Sequence, residues 1–479
     1  MTYFFETYGC QMNSAESAAL DLVCRERGWS VAADGEGADL VLLNTCSVRQ
    51  TAETRVMGRL AAYTALKKKR QAEQRPLYLV VAGCMAERLG EGLKDSCPAV
   101  DYVMGTSARS VFPLILEAAE KDLAGAAPAS GFTATRRRVE DEGSLFTAKP
   151  AFAFSPSHLE EGPPGQKVFR SFVPIMHGCN NFCSYCIVPY VRGPEISRDP
   201  AAILQEIRLV GERGVREITL LGQNVNSYRW EGPLPAGGKS PDGFFGFSGL
   251  LRLVADAVEG SPIRWVRFLS ANPKDLSPET IRVMAERRIF CRHLHLPVQH
   301  GSGRILAAMN RRYTRQQYLA LVREIRSAMP ELSLSTDILV GFPGETGEDH
   351  AETLTLMEEV KFLYSYTYHY NPREGTAAFD LPGRIDEKLK RERLNQVMAL
   401  QKKHTQELLK NRLGSREKVL VEGISHKNAD ELITRTERGE MAVAPGDPSL
   451  IGSFAELTLS GLRGNTFRAK EFNLCPGGS

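Results

Sequence analysis

Cys179, Cys183 and Cys186 lie in the run His177-Gly178-Cys179-Asn180-Asn181-Phe182-Cys183-Ser184-Tyr185-Cys186, three soft thiolates at CxxxCxxC spacing in one short loop. That density of thiolates suits an iron-sulfur cluster. Three cysteines on a four-iron cluster leave one iron without a ligand from the loop, and an open iron is a place for chemistry. The competing reading of the same residues is a tetrahedral zinc site with His177 as the fourth ligand.

A second set of cysteines is dispersed in sequence. Cys10, Cys46 and Cys84 stand in YGCQMN, NTCSVR and AGCMAE, and each directly follows an apolar, strand-like run: FFETY, ADLVLLN and LYLVVAG. Parallel strands would bring all three thiols to one sheet edge, the edge where open α/β sheets bind ligands. A second iron-sulfur cluster is the natural reading; its competitor is the ordinary buried cysteine of apolar strands. Cys24, Cys97, Cys291 and Cys475 show no comparable pattern and read as core or surface thiols.

Positioning two such sets requires an α/β fold, and the hydrophobic pattern divides the 479 residues into successive parts. Residues 1–123 read as an N-terminal parallel α/β sheet domain. Residues 124–165, rich in Ala, Pro, Gly and Ser without periodicity, read as a linker. Residues 166–413 alternate strands and helices, with strands expected at FRSFVPIM, EITLL, RWVRFLS, HLHLPV, LSLSTDILV and FLYSYTYHY. Six repeated βα units imply a (βα)6 partial barrel, and the CxxxCxxC loop follows its first strand, at the end where barrel enzymes carry their active sites. Asp199-Pro200 and the Thr314/Gln317 capping box mark helix starts. Glu231–Gly249 is a long irregular insertion, and Asp386–Arg412 is a charged bridging helix. Residues 414–479 hold about five short strands, as in an OB-like β-barrel.

The composition is that of a globular protein, 42% hydrophobic and 24% charged, with a net charge of +3 and no apolar run near the roughly 18 residues of a membrane span. The start lacks the features of a secretory signal, so a cytoplasmic location is expected, and ten cysteines in a reducing compartment point to metal or core roles instead of disulfides. Two basic runs, Lys67–Arg70 and Arg136–Arg138, are candidates for phosphate contact or solvated surface.

With these motifs in hand, the CxxxCxxC loop resembles the radical-SAM superfamily. The order of parts, with YGCQMN, NTCSVR, CSYCIVPYVRG, LLGQNVNSY and LPVQHGSGRIL, resembles its methylthiotransferase family over nearly the whole chain. Gln11-Met12-Asn13 favours the branch acting on N6-dimethylallyladenosine at position 37 of tRNA over the ribosomal-protein and threonylcarbamoyladenosine branches. His177 and His300 depart from the usual residues without removing a cluster ligand.

The resemblance implies two [4Fe-4S] clusters: a radical-SAM cluster on Cys179, Cys183 and Cys186, and an auxiliary one, of variable form, on Cys10, Cys46 and Cys84. It implies that S-adenosylmethionine serves as radical source and methyl donor, with Tyr185, Gln223, Asn224, Ser335 and Asp337 as its binding residues. The chemistry then sits on the clusters, without a side-chain acid or base. The implied partners are tRNA bearing N6-dimethylallyladenosine and an electron donor such as flavodoxin or ferredoxin; the chain is expected to be a monomer, with no membrane partner. The C-terminal β-domain resembles the TRAM module, and Arg463, Phe467, Arg468 and Lys470 are its candidate tRNA contacts. The non-enzymatic alternative is a zinc-stabilised RNA-binding protein.

Overall fold

Runs such as Leu40–Thr45 and Tyr78–Gly83 are buried along their whole length, the pattern of strands covered on both faces. In the computed structural model, which describes residues 1–47, 50–123, 131–135, 168–234 and 244–475, they form the centre of a parallel sheet. Its strands are β1 (Thr2–Thr7), β2 (Ser30–Val31), β3 (Leu40–Thr45), β4 (Tyr78–Gly83), β5 (Tyr102–Met104) and β6 (Thr133–Ala134), in the order β2-β1-β3-β4-β5-β6. Alternation along β3 and β4 feeds two cores: Leu40, Leu42, Val80 and Ala82 on one face, Val41, Leu43, Leu79 and Val81 on the other.

Three of these strands were expected; β2, β5 and β6 are additions. β2 and β6 are two residues long, and β6 lies within the stretch read as linker. It is recruited because Val103 and Met104 pair with Thr133 and Ala134. Arg136–Arg138 and most of the remaining linker lie outside the described residues. Of the run Lys67–Arg70, two members have structural work: Lys67 bonds the Ala99 carbonyl at 3.0 Å and pairs with Asp101, while the buried Arg70 donates to the Ala38 carbonyl at 2.6 Å.

The chain separates into two compact units: Met1–Glu160 with His177–Asn180 and Cys186–Ile196, and Glu161–Met176 with Asn181–Tyr185 and Ser197–Ser479. The second contains six parallel strands at Arg170–Pro174, Glu217–Leu221, Trp265–Phe268, His293–His295, Ser333–Val340 and Tyr364–His369, as the sequence pattern implied. They form two three-stranded sheets, joined by a parallel bridge between Val266 and Phe290. Helices follow each strand, and the cap readings hold: Asp199 accepts from Ala201 N at 2.8 Å, and Thr314 and Gln317 bond reciprocally. A short antiparallel pair ties the insertion, at Phe245–Gly246, to Arg229–Trp230 just before it; residues 235–243 lie outside the described ones. After the helix Glu387–Lys410, five strands close into a barrel around Val419, Ala442, Leu457, Leu459 and Phe467. Among the described residues no helix is long and apolar enough to cross a membrane.

Two polar devices fix these parts. In the N-terminal sheet, Asn13 Nδ2 donates to Asn44 Oδ1 at 3.0 Å and to the Thr45 carbonyl at 3.1 Å. Asn44 Nδ2 returns bonds to the Asn13 carbonyl and to Ser17 Oγ, both at 3.0 Å. Asn13 also accepts from Cys10 N at 3.3 Å, so one buried amide pair ties the turn after β1 to the end of β3. In the second unit the buried Glu217 accepts from Arg267 at 3.0 Å and Arg435 at 2.8 Å and lies 3.3 Å from Arg170, while Arg267 also reaches the Thr436 and Glu437 carbonyls. This carboxylate joins the strands of the βα barrel to the β-domain.

Removing either device takes a partner from buried polar groups. Glu217→Ala, which removes the buried carboxylate shared by Arg170, Arg267 and Arg435, is expected to cost about 3–5 kcal/mol, read as a lowered thermal unfolding midpoint. Asn44→Ala is expected to open the β3 edge locally at a cost of about 1–3 kcal/mol; alkylation of the buried Cys46 in the metal-free protein should then accelerate roughly tenfold or more.

Candidate active site

Cys10, Cys46 and Cys84 stand at the carboxyl ends of the adjacent strands β1, β3 and β4. Cys10 is the N-cap of the helix Gln11–Glu26, Cys46 follows β3 directly, and Cys84 opens the helix Cys84–Leu89. A Cβ placed on Gly9 would come within 3.0 Å of the Cys46 Cβ, which shows how closely the first turn approaches the second. Burial pushes the Cys84 thiol up to about 12; Arg192 opposes that, and Glu16, Cys46 and Cys10 add to it. The three thiols therefore share one electrostatic neighbourhood. None of the ten cysteines is joined in a disulfide.

Around them is a buried charged cluster that pattern reading passed over. Arg192 Nη1 and Nη2 bond both oxygens of Glu16, at 2.7 and 3.3 Å, and Arg109 lies 3.6 Å from the same carboxylate. Burial raises the Glu16 pKa, but the two arginines hold it below the usual range. His177 belongs to the same surroundings: burial, then Arg192 and Arg109, push its imidazole down to about 3, so it is neutral. Nearby, Gly178 has φ +80°, and a Cβ there would fall 1.9 Å from the Pro194 carbonyl. Cys179 N donates to the Gly193 carbonyl at 3.1 Å, while Asn180 and Glu195 exchange bonds at 3.2 Å.

The middle of the CxxxCxxC loop, Asn181–Tyr185, packs within the second unit. Arg311 Nη1 lies 3.2 Å from Cys183 Sγ, its Nη2 donates to the Pro297 carbonyl at 3.0 Å, and its Nε reaches Tyr313 Oη at 3.0 Å. Ser184 N and Oγ donate to the Met309 and Ala308 carbonyls, and Asn310 donates to the Phe182 carbonyl at 2.9 Å. Arg311 and Asn310, in the run MNRRY, carry no motif of their own; their partners lie about 128 residues upstream.

The remaining candidates divide. Gln223 and Asn224 follow the strand Glu217–Leu221 at its carboxyl end, with Asn224 Nδ2 bonded to Asp275 at 2.7 Å. Tyr185 is half-buried against Ile305, Met309 and Phe342. Ser335 is different: it is the third residue of its strand, and its hydroxyl is bonded to His293 Nε2 and His295 Nδ1, both at 2.9 Å, in the amino-terminal half of the barrel. Asp337, two residues on, lies 3.5 Å from His295 Nε2. His300, the second departure from the family pattern, is a buried structural residue. It accepts from Ser302 N at 3.0 Å and sits 3.5 Å from Glu345, which Arg393 also binds. In the β-domain Phe467 faces the core and cannot stack on a base, and Arg468 pairs with Glu431; Arg463 and Lys470 are exposed.

A single zinc ion draws its ligands to one point, whereas a four-iron cluster spreads thiolates over separate irons. Among the described residues no three His, Cys, Asp or Glu side chains converge on one point. His177 sits among guanidinium groups, with Arg192 and Arg109 in its surroundings.

Comparison with known proteins agrees. Residues 173–357 match the Radical SAM superfamily, and residues 2–105 match Uncharacterized protein family UPF0004. The chain is 48% identical over 475 residues to a tRNA-2-methylthio-N(6)-dimethylallyladenosine synthase of Treponema pallidum (strain Nichols), covering 98% of both chains. It is 43% identical over 460 residues to the enzyme of that name from Geobacter metallireducens, covering 95% of each. Among solved structures it resembles the radical S-adenosylmethionine methyltransferase TsrM from Kitasatospora setae, with a TM-score of 0.53 at 12% identity over 79% of this chain and 77% of that one, a likeness of fold alone. The chain belongs to the tRNA-2-methylthio-N(6)-dimethylallyladenosine synthase family of radical-SAM methylthiotransferases.

Proposed function

We propose that this protein converts N6-dimethylallyladenosine at position 37 of tRNA, beside the anticodon, to its 2-methylthio derivative. Cys179, Cys183 and Cys186 hold one [4Fe-4S] cluster, and Cys10, Cys46 and Cys84 hold the other. The observation that carries this reading is the presence of two separate thiol triplets, one at the carboxyl ends of β1, β3 and β4 and one after the first strand of the βα barrel.

Carbon 2 of adenine bears a hydrogen with no useful acidity, so a side-chain base cannot remove it. The clusters with S-adenosylmethionine, when bound, supply the radical that takes this hydrogen and the sulfur and methyl group that replace it. The chain's own residues position and shield. Arg311 directs a cationic N–H at Cys183, and the bonds from Ser184 and Asn310 fix the loop around it. Tyr185, Gln223, Asn224 and Asp337 are the residues assigned to S-adenosylmethionine. Ser335 is left to orient His293 and His295.

The β-domain, residues 414–479, grips tRNA through exposed cations such as Arg463 and Lys470. A base in the anticodon loop is splayed out at lower cost than one in a duplex. The protein acts as a cytoplasmic monomer, with reducing equivalents from a flavodoxin or ferredoxin.

The test uses anaerobically reconstituted protein and tRNA carrying N6-dimethylallyladenosine, with nucleosides resolved by mass spectrometry. Cys179→Ala is expected to abolish cleavage of S-adenosylmethionine, and Cys10→Ala to retain cleavage while losing the methylthio product. Methylthiolation by either variant would overturn the assignment. Product formed only with a ribosomal protein, or with tRNA bearing threonylcarbamoyladenosine, would move the substrate to another branch.

A further inference from the structure

The strand Tyr364–His369 lies at one edge of the sheet it forms with Ser333–Val340 and His293–His295. Parallel register puts Tyr364 beside Ser335, Tyr366 beside Asp337 and Tyr368 beside Leu339, so the three tyrosines share a face with those residues. Tyr364 has a structural explanation, since it packs on the β-domain core around Leu409, Val419 and Leu457. Tyr366 has none of that kind. It is 57% exposed, and its ring meets the His295 ring edge-on, at 5.6 Å and an interplanar angle of 76°.

The contact with His295 steadies the phenol ring and leaves a face of it uncovered. His295 is itself fixed: its Nδ1 is bonded to Ser335 Oγ at 2.9 Å, the hydroxyl that also holds His293, and its Nε2 lies 3.5 Å from Asp337. A held aromatic ring with an open face suits a flat π system. Its place narrows the choice. Asp337, the register partner of Tyr366, is assigned to S-adenosylmethionine. Leu339, next on the same face and about 7 Å further along the strand, packs in the apolar cluster that covers Tyr185 of the CxxxCxxC loop. The base that gives up its carbon 2 hydrogen has to lie beside the radical source, and a base splayed out of a loop arrives without its stacking neighbours.

We propose that Tyr366 is the stacking platform for the adenine of the target nucleoside. The inference rests on N6-dimethylallyladenosine in tRNA as the substrate, and it adds the side chain on which the extruded base comes to rest. S-adenosylmethionine brings an adenine of its own to the same face, so the experiment has to separate the two sources of one ring.

The experiment uses anaerobically reconstituted full-length protein and two anticodon stem-loops, one carrying N6-dimethylallyladenosine at position 37 and one abasic there. The readouts are the affinity for each stem-loop at one fixed salt concentration and, separately, the affinity for S-adenosylmethionine. The parent is expected to bind the base-bearing stem-loop more tightly than the abasic one. Tyr366→Ala and Tyr366→Leu should weaken binding of the base-bearing stem-loop about tenfold and leave the abasic one unchanged, while Tyr366→Phe should bind both as the parent does. Equal affinity of the parent for the two stem-loops would overturn the proposal, as would parental affinities in Tyr366→Ala or an equal loss on both stem-loops. A loss confined to S-adenosylmethionine would put the cofactor's adenine on the ring and overturn it as well. A parent that forms no 2-methylthio product from tRNA carrying the nucleoside would instead remove the substrate, and the platform with it.

Discussion

One buried pair of carboxamides, Asn13 with Asn44, carries the geometry of the N-terminal sheet edge. Loops at the ends of parallel strands have no ladder to hold them, and thiols on such loops drift unless something else fixes the backbone. Here the fixing is done by hydrogen bonds that each amide gives and receives, with Ser17, Thr45 and the Cys10 amide drawn in. Three cysteines spread over 75 residues acquire a common address because two side chains satisfy each other in a place without water. The order of β1, β3 and β4 brings the loops to one edge, and the amide pair decides how the first two of them meet.

Much of this was legible in sequence. The long strands announce themselves through continuous β-branched and leucine runs, and the six barrel strands fall where alternation with helices put them. The two-residue edge strands β2 and β6 do not, because so short a segment is extended only by the neighbour it pairs with. The cysteines were legible for the same reason as the strands: each follows one. Phe467 was misread because a strand's aromatic residue can face either way, and its register in the closed barrel turns it inward.

The residues that went unread share a physical trait. Arg192 finds Glu16 across 176 positions, Arg311 finds Cys183 across 128, and Asn44 finds Asn13 across 31. Nothing local distinguishes them from surface arginines and turn asparagines. What marks them is a charge or amide taken out of water and matched elsewhere, which only the folded chain displays. The basic run at Lys67–Arg70 gives the converse lesson. It looks like a polyanion contact, yet Arg70 is spent on backbone carbonyls.

Glu217 sits on a barrel strand and answers to arginines from two other barrel strands, Arg170 and Arg267, and to Arg435 of the β-domain. Trp265 adds an apolar seam, packing edge-on against Phe454 at 4.9 Å. The C-terminal β-barrel is thus welded to the strands of the βα barrel, not strung from them. Descendants of this chain cannot trade one β-domain for another freely, since a new module must bring an arginine at the position of Arg435 and an aromatic at that of Phe454. Glu217, Arg267 and Arg435 should therefore change together or not at all across its lineage, a covariation written by electrostatics between parts that a domain map draws as separate.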